Sequence, residues 1–158
     1  MNELAVSKAL EVAVPLCQHF EGFSSKPYIC PAGYPTIGYG TVYKPDGTKV
    51  TMEHPAISKQ TAEAWLVTEL KNKYMLGVMV ASPILLQYPQ ALGALADFAY
   101  NLGVARYRSS TLKRRIDAQQ WAEAKLELNK WVMGGGRRLP GLVRRRQAEA
   151  VYLPQGVA

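Results

Sequence analysis

Residues 89–103, PQALGALADFAYNLG, constrain the fold more than any other stretch of the sequence. The segment begins with proline, ends with glycine and contains one charged residue, Asp97, which is typical of a complete helix. Because apolar residues occupy every side of this helix, it has to be surrounded by other elements. We therefore predict a buried central helix inside a mainly helical lobe.

Helical periodicity also predicts elements on both sides of this segment. A first helix is indicated by an apolar stripe with spacings of four, three, four and three residues: Val6, Leu10, Ala13, Cys17 and Phe20. Pro15 should kink this helix or mark where it restarts. From about residue 58 onward the chain is predicted to be helical, beginning with a helix capped by Ser58.

A small sheet is predicted between these helical parts. The β-prone runs TIGYGTVY and TKVT flank KPDG, and Asp-Gly between such runs indicates a hairpin. The chain of 158 residues, 48% of them hydrophobic, suits one α+β domain over residues 1–158. We expect a small sheet lobe at about 22–57, a helical lobe from the N-terminal helix and about 58–158, and a binding cleft between them.

The composition limits the class of protein and its partners. Residues 1–100 contain seven Lys/Arg and eight Asp/Glu, whereas residues 101–158 contain twelve and four, so the net charge of +7 comes from the last third. This imbalance predicts an anionic partner, such as nucleic acid, a membrane surface or a cell-wall polymer. Two cysteines and two histidines give no metal motif, so we expect neither a metal nor a cofactor. The sequence shows neither a bilayer-spanning stretch nor a signal-peptide pattern, and we expect synthesis in the cytoplasm.

Glu21 is the only acid in residues 20–41, and no second carboxylate beside it is evident. Cleavage of a glycosidic bond needs a proton donor next to the leaving oxygen. Phe20 and Phe23 flank Glu21, and desolvation by them would disfavour its charged form. The alternative is an ordinary solvated glutamate at a helix end.

The residues after Glu21 carry a more specific pattern. Glu21 is followed after eight residues by Cys30, after five more by Thr36, and then directly by IGYG. Together with ALADFAYNLG, SSTLKRRI and GGRRLPGLVRRRQAEAVYL, in this order, the pattern resembles the phage-type lysozymes, glycoside hydrolase family 24. The resemblance covers most of the chain and implies the lysozyme-like fold.

The resemblance also implies roles for individual residues. Glu21 would be the general acid, position 30 would activate or support the attacking water, and Thr36 would help to hold that water. The family usually has Asp at position 30, where this chain has Cys30, and commonly has His where this chain has Thr41. The first departure bears on mechanism, whereas the second should affect only how the hairpin is held.

Further residues have two interpretations each. Cys30 is either part of the site or a small buried hydrophobe, whereas Cys17 lies on the apolar stripe and belongs to the core. Asn101 either binds sugar or simply ends its helix, and Tyr39 either stacks on a sugar ring or packs inside the sheet lobe. Tyr28 and Tyr34 have the same two interpretations, stacking on a sugar ring or packing inside the sheet lobe.

The resemblance implies that one member of the late arginine cluster approaches Glu21, and the sequence does not decide which. The cluster, otherwise typical of a solvated face, comprises Arg137, Arg138, Arg144, Arg145 and Arg146.

The leading functional prediction, which the resemblance implies, is a muramidase that cuts the β-1,4 bond between N-acetylmuramic acid and N-acetylglucosamine in peptidoglycan during phage lysis. Such an enzyme would leave the host cytoplasm through a holin pore and reach the periplasm or cell wall. We expect it to act as a monomer and to bind the anionic wall or outer membrane through its basic last third. A lytic transglycosylase giving 1,6-anhydro products is the second interpretation. A non-enzymatic cationic module that binds nucleic acid or membrane is the third. Without a nucleic-acid motif, we expect no nucleic-acid partner.

Overall fold

The structure consists of helices packed around a central helix and of two short antiparallel ribbons. The computed structural model describes residues 2–156. The α-helices are α1 (Glu3–Glu21), α2 (Lys59–Glu69), α3 (Leu76–Ala81), α4 (Pro89–Leu102), α5 (Val104–Arg108), α6 (Thr111–Asp117), α7 (Trp121–Leu128) and α8 (Pro140–Ala150). A π-helix at Leu70–Met75 joins α2 to α3, and a 3-10 helix at Pro83–Gln87 precedes α4.

The central helix is α4, as the sequence predicts. Every residue from Ala91 to Ala99 is buried, including Asp97. Helix α1 crosses α4 so closely that a Cβ at Gly93 would lie 2.4 Å from the carbonyl oxygen of Ala9. Only a residue without a side chain fits this crossing, so Gly93 fixes the distance between the two helices.

Helix α1 does not restart at Pro15, in contrast to one of the two outcomes expected from the sequence. It runs without a break from Glu3 to Glu21. Proline removes the hydrogen bond to the carbonyl four residues earlier, which is that of Glu11. Because Pro15 and Glu11 both lie on the exposed side of the helix, this carbonyl faces solvent.

The small sheet consists of β1 (Ser24–Ile29) and β2 (Pro35–Gly38), paired antiparallel with Tyr28 opposite Thr36. The sequence placed the hairpin at Asp46-Gly47 instead. A turn does form there, with the N–H of Gly47 donating to the carbonyl of Lys44 at 2.9 Å, but it is flanked by a single bridge, between Tyr43 and Lys49. Both bridge residues are exposed, and the pairing stays too short to count as two strands.

The part after residue 58 is helical with one exception. The side chain of Ser58 caps α2 by accepting a hydrogen bond from the N–H of Thr61 at 3.1 Å, as predicted. The exception is a short ribbon, β3 (Met133–Gly134) and β4 (Arg137–Arg138). Glycines 134–136 disfavour a helix there. No helix within residues 2–156 is long and apolar enough to cross a membrane.

Candidate active site

A cavity of about 400 Å³ lies between the end of α1, the segment after β2 and the π-helix. It contains the predicted acid and several aromatic side chains. Its lining comprises Glu21, Tyr34, Gly40, Val42, Tyr43, Glu69, Lys73, Tyr74, Tyr100 and Asn101. A larger cavity of about 660 Å³ lies between α1, the start of α4 and the C-terminal segment. The larger cavity includes none of the predicted site residues, so we place the site in the smaller one.

Glu21 is the last residue of α1 and points into this cleft. The chain turns away at Gly22, whose positive φ of 72° ends the helix. The Glu21 side chain is 23% exposed, and its Oε2 accepts a hydrogen bond from NH1 of Arg145 at 2.7 Å. On its other side, a Cβ at Gly40 would lie 2.7 Å from Oε1. The second glycine of IGYG therefore leaves room for the carboxylate.

Arg145 is the arginine that approaches Glu21, and Asp97 holds it there. Its Nε and NH2 donate to the two oxygens of Asp97 at 2.9 and 2.7 Å. Burial alone would lower the pKa of Arg145, but its hydrogen bonds and charge interactions with Asp97 and Glu21 raise it well above its usual range. The guanidinium also lies 5.5 Å from the ring centre of Phe20. The resemblance implies that a late arginine approaches Glu21, and the structure identifies that arginine as Arg145.

Asp97 is ionised although it is fully buried. Burial opposes its charge, but hydrogen bonds from Glu149 and Arg145 outweigh burial and lower its pKa. Cys17 also donates to it, with Sγ 3.1 Å from Oδ1. Cys17 is buried as predicted, and burial raises the pKa of its thiol well above the usual value. Asp97, the single charged residue of the apolar helix α4, therefore anchors Arg145, the arginine that contacts Glu21.

Asn101 lines the cleft and also has a partner in the protein. Its Oδ1 accepts a hydrogen bond from NH2 of Arg146 at 2.9 Å. Arg146 is buried and also pairs with Glu149, with NH2 2.9 Å from Oε2. Of the arginine cluster, Arg145 and Arg146 are thus internal, whereas the other three members are exposed.

Cys30 and Thr36 lie together on the hairpin, at the end of β1 and within β2. The hydroxyl of Thr36 is buried and donates to the carbonyl of Tyr34 at 2.9 Å. A hydrogen bond between the Cys30 thiol and the Thr36 side chain is the main cause that lowers the pKa of Cys30. Cys30 is partly exposed, and among the described residues neither Cys30 nor Thr36 belongs to the lining of the Glu21 cavity.

Tyr39 does not line the cleft, which favours its second interpretation, packing, over stacking on a sugar ring. Its side chain is 8% exposed and belongs to the core, with its ring 5.5 Å from that of Phe23. Its carbonyl accepts a hydrogen bond from the hydroxyl of Tyr100 at 2.6 Å. Tyr39 lies in the turn directly after β2, and the tyrosines that line the cavity are Tyr34, Tyr43, Tyr74 and Tyr100.

Glu69 is a second carboxylate in the cleft, and the sequence analysis missed it. It lies 48 positions after Glu21, in a helix whose pattern marks it only as a polar position. Burial is the main cause that raises the pKa of Glu69 to about 7, and the charge of Glu21 adds to this effect. The sequence contains no spacing signal for this residue, because the two acids meet only when α2 packs beside the end of α1.

The family-specific model of phage lysozymes matches residues 18–149. The chain belongs to the phage lysozyme family. It is 30% identical over 144 residues to an endolysin of Acyrthosiphon pisum secondary endosymbiont phage 1, covering 88% of this chain and 92% of the relative. It is 34% identical over 150 residues to an endolysin of Bacillus phage B103, covering 92% of this chain but 54% of that longer protein.

A solved structure agrees with this assignment. The endolysin from Escherichia coli O157:H7 phage FAHEc1 superposes with a TM-score of 0.76 at 29% identity, covering 92% of this chain and 89% of that one. The predicted lysozyme-like α+β fold is confirmed. The chain is a glycoside hydrolase that acts on peptidoglycan, as phage endolysins do, and the non-enzymatic interpretation is set aside.

Proposed function

We propose that the enzyme is a muramidase, which hydrolyses the β-1,4 bond between N-acetylmuramic acid and N-acetylglucosamine. The observation that carries the proposal is Glu21, a partly exposed acid at the wall of an aromatic-lined cleft, anchored by Arg145 and Asp97. Glu21 donates the proton to the leaving oxygen. Its anchored position keeps the carboxyl aimed at one point in the cleft, which is what a positioned general acid requires.

The second role in hydrolysis is activation of water. We propose that Cys30 supports the attacking water and that Thr36 helps to hold it. The lowered pKa of Cys30 supports this role, because a larger fraction of the group is then thiolate, the form that can accept a proton from water, near neutral pH. Asn101, on the cavity wall and held by Arg146, would bind the saccharide.

Lytic transglycosylation remains the second candidate, and one observation favours it. Among the described residues, Cys30 and Thr36 are absent from the lining of the Glu21 cavity. The 6-hydroxyl and N-acetyl groups of the substrate would then replace water, giving a 1,6-anhydro product.

The biological setting is part of the same proposal. We propose that residues 1–158 act as one monomeric catalytic unit, with the sheet lobe at about 22–57 and the helical lobe formed by α1 and residues from about 58. The enzyme would be made in the host cytoplasm, pass a holin pore and reach the periplasm or cell wall. Its basic last third would bind the anionic wall or outer membrane, without a nucleic-acid partner.

Replacing the proposed acid tests the assignment. Glu21→Gln should reduce wall lysis by at least 100-fold with the fold intact, because an amide cannot donate the leaving-group proton. Lysis is measured as turbidity loss of purified cell walls, and circular dichroism checks the fold. A folded variant that keeps most of its activity would overturn the assignment.

Mass analysis of the fragments from the unmodified enzyme then decides the reaction. A reducing N-acetylmuramic acid end indicates hydrolysis by a muramidase. A 1,6-anhydro end indicates transglycosylation and would overturn the muramidase proposal while leaving Glu21 as the acid.

A further inference from the structure

Glu69 lies where two cavities meet. The first is the cavity of about 400 Å³ that contains Glu21, and the second, of about 210 Å³, is lined by Trp65 among others. Three side chains line both cavities: Tyr43, Glu69 and Lys73. A linear saccharide that occupies the first cavity and continues into the second therefore passes Glu69.

The backbone beside Glu69 departs from a regular α-helix. The π-helix Leu70–Met75 begins directly after Glu69, and its Lys73 and Tyr74 line the cavity of Glu21. π-helical segments are rare and occur frequently at functional sites. Glu69 itself is half-buried, with its Oε1 fully buried and without a hydrogen-bond partner.

The groups around Glu69 decide its charge. The pKa of Glu69 is raised to about 7, mainly by burial and also by the charge of Glu21, while Lys73 and a hydrogen bond with Tyr74 oppose this rise. From the other elements, Tyr100 of α4 faces the same cavity, and Tyr43 and Lys44 face Glu69 from the loop after β2. The carboxyl is thus neutral below pH 7 and becomes ionised above it.

We propose that Glu69 is a saccharide-positioning residue, which in its neutral form donates a hydrogen bond to a hydroxyl or N-acetyl oxygen of the sugar beside the scissile bond. The proposal rests on the proposed function of the Glu21 cleft. A neutral carboxyl has both a donor and an acceptor, whereas an ionised one only accepts.

Binding measurements separate this proposal from the proposed catalytic activity. The probe is a neutral chitooligosaccharide of β-1,4-linked N-acetylglucosamine, whose own charge does not change with pH. Its Kd is measured calorimetrically between pH 5.5 and 8.5 on the inactive Glu21→Gln enzyme. We expect Kd to rise about 3- to 10-fold over this range as Glu69 ionises, the size of one lost hydrogen bond. The midpoint should lie below pH 7, because Glu21→Gln removes the charge that helps to raise the pKa of Glu69.

Two substitutions at position 69, added to that background, and one control complete the test. Glu69→Gln keeps a neutral donor and acceptor, so its Kd should match that of the background enzyme at pH 6 and lose most of the rise with pH. Glu69→Ala should weaken binding about 3- to 10-fold at pH 6. Glu63→Gln, in the same helix but exposed, should keep the rise.

Two results would overturn the inference. One is an undiminished pH dependence in Glu69→Gln, and the other is unimpaired binding at pH 6 in folded Glu69→Ala. In either case the chitooligosaccharide still binds in the Glu21 cleft, so the proposed function stands. A failure of Glu21→Gln to lose lytic activity would instead contradict the proposed function.

Discussion

At the scale of single residues, Cys30 is the main departure of this chain from the pattern of its family. A thiol ordinarily has a pKa of ~8.5, so only a few per cent is thiolate at pH 7. Interaction with Thr36 is the main cause that lowers the pKa of Cys30, which increases the thiolate fraction at neutral pH. Cys17 differs from Cys30 in exposure and in the direction of its pKa shift: it is buried, and burial raises the pKa of its thiol.

The two cysteines should therefore respond differently to substitution and alkylation. Cys30→Ala should lower wall lysis by about 100-fold if the thiolate is the base, whereas Cys30→Asp, which restores the family residue, should stay active. Activity of the unmodified enzyme should rise as pH increases through the lowered pKa of Cys30, and this rise should vanish in Cys30→Asp.

Iodoacetamide provides a second measurement on the same pair. It should inactivate the unmodified enzyme and spare Cys30→Asp, since Cys17 is shielded. Full activity of a folded Cys30→Ala enzyme would contradict the role of Cys30 and favour the transglycosylase interpretation.

At the scale of elements, the site depends on how closely the segment after β2 approaches the end of α1. Gly40 makes this contact, with a φ of 79° and no room for a Cβ beside Oε1 of Glu21. Gly47 has a similar φ of 85° but nothing within 4 Å of a Cβ built on it. Alanine would introduce similar backbone strain at both positions, but only at Gly40 would its Cβ collide with the Glu21 carboxylate.

Alanine at these two positions separates strain from collision. Gly40→Ala and Gly47→Ala should each lower the free energy of unfolding by about 1–2 kcal/mol, the strain of a left-handed alanine. Only Gly40→Ala should also lose about 100-fold in lytic rate, because it displaces the carboxyl of Glu21. Urea unfolding and turbidity assays measure the two effects, and equal rates for both variants would show that the contact at Gly40 does not position the acid.

At the scale of the whole molecule, the charge is divided between a neutral first part and a basic last third. Arg137, Arg138 and Arg144 are exposed and free to meet an anionic surface, whereas Arg145 and Arg146 are used internally. Interactions between exposed charges are screened over ~10 Å at 0.1 M salt. Attraction to the wall should therefore depend on ionic strength, unlike the chemistry in the cleft.

Salt should consequently affect one substrate and not the other. Lysis of intact walls should slow as salt increases from 0.02 to about 0.3 M, a range over which screening becomes strong. Cleavage of a neutral chitooligosaccharide should change little. Replacing Arg137, Arg138 and Arg144 by glutamine should weaken the salt dependence on walls, and an identical dependence on both substrates would exclude wall capture by this surface.

Local patterns in the sequence were enough to predict the α+β class, the buried central helix and the cap at Ser58, whereas the resemblance to phage-type lysozymes was needed to single out Glu21 as the general acid. Periodicity and capping act between residues close in the chain, so they can be recognised without the fold. The resemblance to phage-type lysozymes added the expectation that a late arginine approaches Glu21. The position of the sheet ladder was mispredicted, because pairing depends on which strand face becomes buried.

The arrangement of the site was decided by tertiary packing. Three consecutive arginines occupy successive directions around α8, and only its packing against α4 turns Arg145 towards Asp97 and leaves Arg144 in solvent. Tertiary packing also buried Tyr39 in the core and brought Glu69 into the same cavity as Glu21. Burial and the approach of distant charges set the protonation of such groups, and both exist only once the separate elements have come together.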